Sequence, residues 1–384
     1  MERLRIGIVG VSGRGTMARL WHNENQKRSV VVAGMDPSPE FLEQFKATVN
    51  PDAFTTTDFY ELLEQDIDAV AIFSPDNFHE EQAIAALKAG KHVFCEKPMA
   101  ITTEGCDRML QAWKESGKHL MIGHNMRYMR FVRTMKEIID AGVIGELKMV
   151  WCRHFIGYGA RFYFHDWHGT RENVTSLLLQ KGAHDIDVIH WLAGGFTSSV
   201  VGTGGLDYYG GDKDNDLRCP TCPENKTCTE VQSRAEPARR QMCVFRKEID
   251  VEDTNMILMN LDNGVRACYL QCHFAPDIWR NYTFIGTEGR LENVNGESKI
   301  TVLTRRSNTW REYAHRTYDV KPPTEGGHGG ADPLIAEDFL DLVFTGKSEI
   351  ADPIAARMAV ATGVAGAESI RNNSKLVTID KPQL

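Results

Sequence analysis

No stretch of this chain approaches the roughly 18 consecutive apolar residues that a membrane-crossing helix needs, which excludes a helical membrane protein. Positive charge is also scarce. Lys and Arg number 44 against 52 Asp and Glu, a formal net charge of -8, so no basic face is expected for nucleic acid. The dense basic run, Arg239-Arg240 with Arg234 near it, is short and reads as a solvated loop. Before the first strand begins at Leu4 there is neither an apolar leader core nor a small-residue cleavage site, so a cytoplasmic protein is expected. Nine cysteines are an odd number, and Cys95, Cys106, Cys152, Cys268 and Cys272 fall inside expected strands or helices, which argues against a secreted disulfide framework.

What is present is the balance of a globular enzyme, 42% apolar and 25% charged residues. At 384 residues the chain exceeds what one hydrophobic core usually serves, so two domains are expected. Residues 4–9 read as a buried strand, followed by a glycine-rich turn and a helix to about Asn25. Val30 to Met35 is a second buried strand, closed by Asp36-Pro37. The alternation continues with helices at 38–47, 78–89 and 102–116 and strands at 69–73, 92–95 and 119–122. Continuous apolar strands between amphipathic helices predict a parallel sheet covered on both faces. After about residue 125 the texture changes. A helix at 129–141 precedes alternating strands at 145–156, 197–204, 250–261, 264–274, 280–287, 289–294, 299–304 and 312–319, with hairpin-like links at Asp262-Asn263-Gly264 and Thr287-Glu288-Gly289. The expected division is 1–125, an α/β Rossmann domain, and 126–384, an α+β domain. The latter carries a polar insertion at 207–243, a helix at 331–345, and an Ala- and Gly-rich last helix at 353–371 placed to pack back on the first domain.

Between the first strand and its helix lies Gly10-Val11-Ser12-Gly13-Arg14-Gly15. A dinucleotide turn, G-x-G-x-x-G, has glycine where Ser12 stands. That position serves close backbone approach to a pyrophosphate, and serine is a small departure that adds a hydroxyl donor. Asp36 ends the second strand 21 residues after Gly15, where a carboxylate accepts from ribose hydroxyls and repels a 2'-phosphate, favouring NAD over NADP.

Strand five ends in Cys95-Glu96-Lys97-Pro98. With Gly10 to Gly15, Phe73-Ser74-Pro75-Asp76-Asn77-Phe78-His79, Ala89-Gly90-Lys91-His92-Val93 and Gly182-Ala183-His184-Asp185-Ile186-Asp187, the chain over nearly its whole length resembles the glucose-fructose oxidoreductase / inositol dehydrogenase / rhizopine-catabolism family. The resemblance implies a Rossmann domain followed by an α+β domain whose large, mostly antiparallel, open-faced sheet makes homodimers or homotetramers. It also implies hydride exchange between NAD and a ring hydroxyl or carbonyl of a sugar, glycoside or cyclitol. On it, Lys97 meets both nicotinamide and substrate, Glu96 is the cofactor-side carboxylate, and Ser74, Asp76, His79 and Asn125 join the cofactor site. His184 becomes the general base for oxidation. Asp187, one turn on, shares its helix face.

The chain departs from that pattern at one place. Many members carry Asp four residues before the histidine, and here Gln180 is followed by Lys181. Either His184 works with Lys181 or Lys97, or the chemistry is unlike simple alcohol oxidation. An enzyme that keeps its NAD and cleaves a glycoside through transient ring oxidation is the alternative, and a non-catalytic NAD-binding sensor is another. For the substrate, Arg127, Tyr128, Arg153, Arg161, Tyr163, His165, Asp166, Trp167 and His168 offer the interleaved aromatic and polar groups that a hydroxyl-rich ring requires.

Cys219-Pro220-Thr221-Cys222, then Cys228 and Cys243, form C-x2-C-x5-C-x14-C. Four thiolates suit a structural zinc that orders a loop without periodicity. Free thiols, a Cys219-Cys222 redox pair and an iron–sulfur cluster remain open beside it.

Overall fold

A computed structural model of the chain describes residues 3–232, 236, 240–294, 296, 298–305, 316–321, 326–348, 350 and 352–383. Arg234, Arg239 and the first half of the expected strand 312–319 lie outside these. Two compact units emerge. Unit 1 comprises 1–133, 322–360 and 382–384, and unit 2 comprises 134–321 and 361–381. The first is thus built from both ends of the chain, whereas the linear reading divided it once, at 125.

Unit 1 holds six strands: β1 (Leu4–Val9), β2 (Ser29–Met35), β3 (Phe54–Thr56), β4 (Ala69–Ile72), β5 (His92–Cys95) and β6 (Leu120–Ile122). They form one parallel sheet in the order β3-β2-β1-β4-β5-β6, the doubly wound arrangement expected from the apolar runs. Ile6, Ile8, Val70, Ile72, Val93 and Phe94 are fully buried, as strands covered on both faces must be. The order reverses between β1 and β4, and their carboxyl ends flank the place where such sheets bind ligands.

The helix expected to run to Asn25 is shorter, a 3₁₀ turn at Gly13–Met17 leading into Ala18–Trp21. It ends at Trp21, after which His22 is extended (φ -140°, ψ 95°). Trp21 is fully buried, its indole Nε1 donates to the Ala336 carbonyl at 3.0 Å, and its ring meets Phe94 and Phe339 edge-on. The helix that supplies Ala336 spans Gly327–Thr345, but His328, Gly329 and Gly330 within it have φ of 51°, 63° and 85°. Regular helix therefore begins at about residue 331, as the sequence predicts. The last helix, Pro353–Arg371, passes from unit 1, where Arg357 pairs with Asp107 at 2.8 Å, into unit 2.

Among the described residues, unit 2 holds nine strands: β7 (Leu147–Ile156), β8 (Thr197–Gly205), β9 (Thr254–Leu261), β10 (Arg266–Cys272), β11 (Ile278–Gly286), β12 (Gly289–Val294), β13 (Lys299–Thr304), β14 (Arg316–Asp319) and β15 (Val377–Thr378). Their order is β14-β13-β12-β11-β7-β10-β9-β8-β15. All neighbours are antiparallel except β7 and β10. Strand alternation sorts the side chains. Met149, Trp151, Met256 and Leu258 leave about half their surface exposed on one face, while Val150, Cys152, Ile257 and Tyr269 are buried on the other. The helix Gly182–Ala193 packs against β7 and β10. Among the described residues no helix is long and apolar enough to cross a membrane.

Candidate active site

The nucleotide-binding turn of unit 1 is tight because two glycines allow it. Gly10 has φ +77°, and a Cβ there would meet the Phe73 and Ser74 backbone at 2.9 Å. A Cβ on Gly15 would lie 2.0 Å from the Gly10 carbonyl oxygen. Ser12 is extended (φ -93°, ψ 172°) and its hydroxyl makes no capping bond to the turn that follows. Asp36, 5% exposed just past the end of β2, accepts a hydrogen bond from the Ser38 amide through one carboxylate oxygen. Glycines, a helix-like turn and a carboxylate at the tip of the second strand fit a dinucleotide.

Glu96 follows β5 and is held from two sides. Arg14 Nε donates to its Oε1 at 2.8 Å, and the Lys97 amide donates to its Oε2 at 3.0 Å. The same guanidinium pairs with Asp332 at 2.8 Å, and Asn125 Nδ2 donates to that carboxylate at 3.2 Å. Burial would push Glu96 up, but Arg14 and Lys97 outweigh it and hold the carboxyl below its usual range. Burial likewise opposes charge on Arg14, yet Glu96 and Asp332 keep it protonated. The Lys97-Pro98 peptide is cis, and Lys97 is half-buried.

His79, expected among the cofactor contacts, is 1% exposed. Its Nδ1 lies 2.7 Å from the Pro98 carbonyl oxygen and its Nε2 lies 2.9 Å from that of Ser74. The neutral ring donates to one of these two carbonyls and packs the backbone on either side of the Glu96-Lys97-Pro98 corner. Asp76 is also buried, and the Ser74 hydroxyl donates to Gln82 at 2.6 Å. Arg127 and Tyr128, expected at the substrate, are buried in unit 1, where Arg127 donates to the Ile350 carbonyl at 3.0 Å and the Tyr128 hydroxyl to Asp338.

In unit 2 the register of three strands builds a polar cluster. Gln271 of β10, His154 of β7 and Arg280 of β11 stand side by side, and the next inward row is Tyr269, Cys152 and Tyr282. Asp185, on the helix Gly182–Ala193, is fully buried among them. Its carboxylate lies 3.0 Å from His154 Nδ1, accepts from the Tyr269 hydroxyl at 3.0 Å and from the Tyr282 hydroxyl, and pairs with Arg280 at 3.2 Å. Burial would raise the Asp185 pKa, but Arg280 and His154 pull it well below the usual carboxylate range. Burial and Arg280 bring His154 down to about 3, so its ring is neutral. Lys181 keeps some accessible surface, but protein crowds its ammonium. Burial, then Arg280, lower its pKa to about 7, with Asp185 opposing. His184 is half-buried one turn from Lys181, Gln180 is buried, and Asp187 is 1% exposed beneath them.

Three substrate candidates in unit 2 are placed elsewhere. Arg153 lies beside Trp151 on the open sheet face, its guanidinium 5.7 Å from that ring, because strand alternation turns it opposite to His154. Arg161 is exposed and pairs with Glu236. His165 is 1% exposed, with Nδ1 at 2.5 Å from the Met242 carbonyl oxygen and Nε2 at 2.7 Å from that of Glu230. Trp167 stacks on His168 at 3.7 Å. His154, Tyr269, Gln271, Arg280 and Tyr282 are not among the residues expected at the site. Only the alternation of β7 offered a signal, since His154 keeps phase with buried Val150, Cys152 and Ile156.

Two family models cover most of the chain. The oxidoreductase family model described as an NAD-binding Rossmann fold matches residues 4–124, and that of the same family's C-terminal alpha/beta domain matches residues 136–379. A Bacillus subtilis protein named as an oxidoreductase, YteT, is 30% identical over 339 residues, 79% of this chain and 77% of that protein. Inositol 2-dehydrogenase of Salmonella typhimurium is 32% identical over 193 residues, about half of each chain (49% and 54%). Among solved structures, levoglucosan dehydrogenase in complex with NADH and levoglucosan superposes with a TM-score of 0.78 at 22% identity over 100% of both chains, which shows a shared fold.

Proposed function

Since the chain belongs to the Gfo/Idh/MocA oxidoreductase family and binds NAD through its first unit, we propose that it oxidises a ring hydroxyl of a sugar, glycoside or cyclitol. The observation that carries this reading is the Arg14–Glu96 link, which ties the nucleotide turn to the corner bearing Lys97. Bound NAD supplies the acceptor for the hydride leaving the substrate carbon. Lys97 stabilises the oxygen as it gains negative charge, and His184 takes the hydroxyl proton. Lys181, beside His184 in sequence and neutral above about pH 7, assumes the part of the carboxylate that Gln180 lacks. Incubation with NAD and a panel of sugars, glycosides and cyclitols, following reduced cofactor by absorbance, tests the reading. Turnover of at least one ring alcohol is expected, with NAD preferred to NADP. A chain that binds NAD and oxidises none overturns it.

Because Lys181 must lose its proton to act, oxidation should rise as pH climbs through about 7 and level off above. In Lys181→Met that limb should vanish and the plateau fall by roughly 10²-fold. A limb unchanged in the variant removes Lys181 from the chemistry.

Gln180 also leaves room for cleavage without net oxidation. That reading predicts aglycone release from a glycoside while reduced cofactor does not accumulate.

We assign the open face of unit 2 to contact between copies of this chain. Met149, Trp151, Met256 and Leu258 are 52%, 52%, 47% and 59% exposed, an apolar patch of a kind that monomers rarely leave bare. Light scattering should give a multiple of 43.2 kDa, and Trp151→Lys with Leu258→Lys should lower it. A 43.2 kDa wild-type particle at micromolar concentration would refute this.

A further inference from the structure

The insertion between β8 and β9 has no part in either polar cluster described above, yet it gathers four thiols. Cys219, Cys222, Cys228 and Cys243 all line one cavity of about 290 Å³, part of it open to solvent, closed on its apolar side by Val231, Val244 and Phe245. All four are free cysteines. We propose that these four sulfurs bind a single zinc ion that orders the insertion.

The backbone presents them as a chelate. Arg218 and Met242 form an antiparallel bridge, which sets Cys219 against Gln241 and Cys243 against Leu217, one residue to either side of it. The Cys219 amide donates to the Gln241 carbonyl at 2.8 Å, and the Cys243 amide to that of Leu217 at 3.0 Å. Cys222 closes a turn on Cys219, its amide 3.3 Å from that carbonyl. The Cys228 amide donates to the Glu224 carbonyl at 2.9 Å, and Cys228 lines the same cavity. One tetrahedral ion uses four donors from two such turns and one bridge.

His165 lines the same cavity, its two ring nitrogens each facing a carbonyl oxygen. Its ring, 3.8 Å from Cys219, joins the thiol cluster to the 165–168 segment. Among the described residues no three His, Cys, Asp or Glu side chains stand close enough to share an ion. Zinc must therefore draw the thiols inward into the cavity they line.

The insertion's other end is anchored without metal. Tyr209, Val244, Ile249 and Val251 are buried with Tyr163, Phe164, Val174 and Leu177. The metal thus orders the polar part of a loop whose apolar part is already packed, and this inference stands independently of the reaction proposed above.

The test uses the full-length chain dialysed into metal-free buffer. Elemental analysis should find about one zinc per chain, and cobalt exchanged for it should give the intense thiolate-to-metal and tetrahedral d–d bands of a sulfur site. Cys222→Ser should lose that equivalent while NAD binding persists. Should that variant fail to fold, the stoichiometry and the cobalt spectrum of the wild-type chain still decide. Less than a tenth of an equivalent of zinc with four thiols titratable in the folded protein, a Cys219–Cys222 disulfide in the freshly purified chain, or stoichiometric iron would each overturn the proposal.

Discussion

Lys97→Ala should lower kcat/KM for oxidation by on the order of 10²- to 10³-fold, the loss seen when a preorganised donor to a developing oxyanion is removed. NAD affinity, read by fluorescence titration, should change by less than about tenfold (~1.4 kcal/mol), because the glycine turn and Asp36, the residues expected to hold the dinucleotide, are untouched. The Arg14–Glu96 pair gives the test its specificity. Glu96 keeps its guanidinium partner in the variant, so the corner stays in place and only the ammonium is lost. A variant that binds NAD and keeps its full cellular effect would favour the sensor reading, and one that oxidises at the wild-type rate would remove Lys97 from the reaction.

The largest effect on stability is expected at Asp185. In Asp185→Asn the buried Arg280 loses its countercharge and two tyrosine hydroxyls lose an ionised acceptor, so a cost of about 3–5 kcal/mol follows from breaking a buried ion pair on one side only. Denaturant unfolding should show a lower midpoint with an unchanged slope. The same carboxylate shapes the acid limb of stability. Its folded pKa lies below its unfolded value of about 3.9, so its contribution is complete above about pH 4 and is lost as pH falls through the depressed folded value. The wild-type chain should therefore lose stability below about pH 4 more steeply than Asp185→Asn does. Equal acid slopes would show that the carboxylate is not held by these partners.

How far the sequence discloses this molecule depends on whether a property is local. The parallel sheet, its strand ends and the hairpins after 261 and 286 were legible because apolar runs and turn residues act within a few positions. The glycine turn was legible for the same reason. The side-chain cluster around Asp185 was not, since Gln271, His154 and Arg280 become neighbours only through register between strands over a hundred residues apart. Arg153 and His154 show how fine the margin is, because one step along β7 carries a side chain from the cluster to the opposite face. The resemblance implies His79 at the cofactor, and polar and aromatic chemistry suggests Arg127, Tyr128 and His165 for the substrate. The structure engages each with backbone or side-chain groups that no motif announces.

The packing of Trp21 against Phe339 and the Ala336 carbonyl has a consequence for how this protein is made. A ribosome releases the six strands of the nucleotide-binding sheet first, but the helix that covers Trp21 and Phe94 emerges some two hundred residues after the last of them. Until then the nascent sheet carries uncovered aromatic surface. The unit that starts first therefore finishes after the strands of unit 2, apart from β15, have already been synthesised, and the chain depends on its own late segment, or on a chaperone standing in for it, to keep that surface from pairing elsewhere.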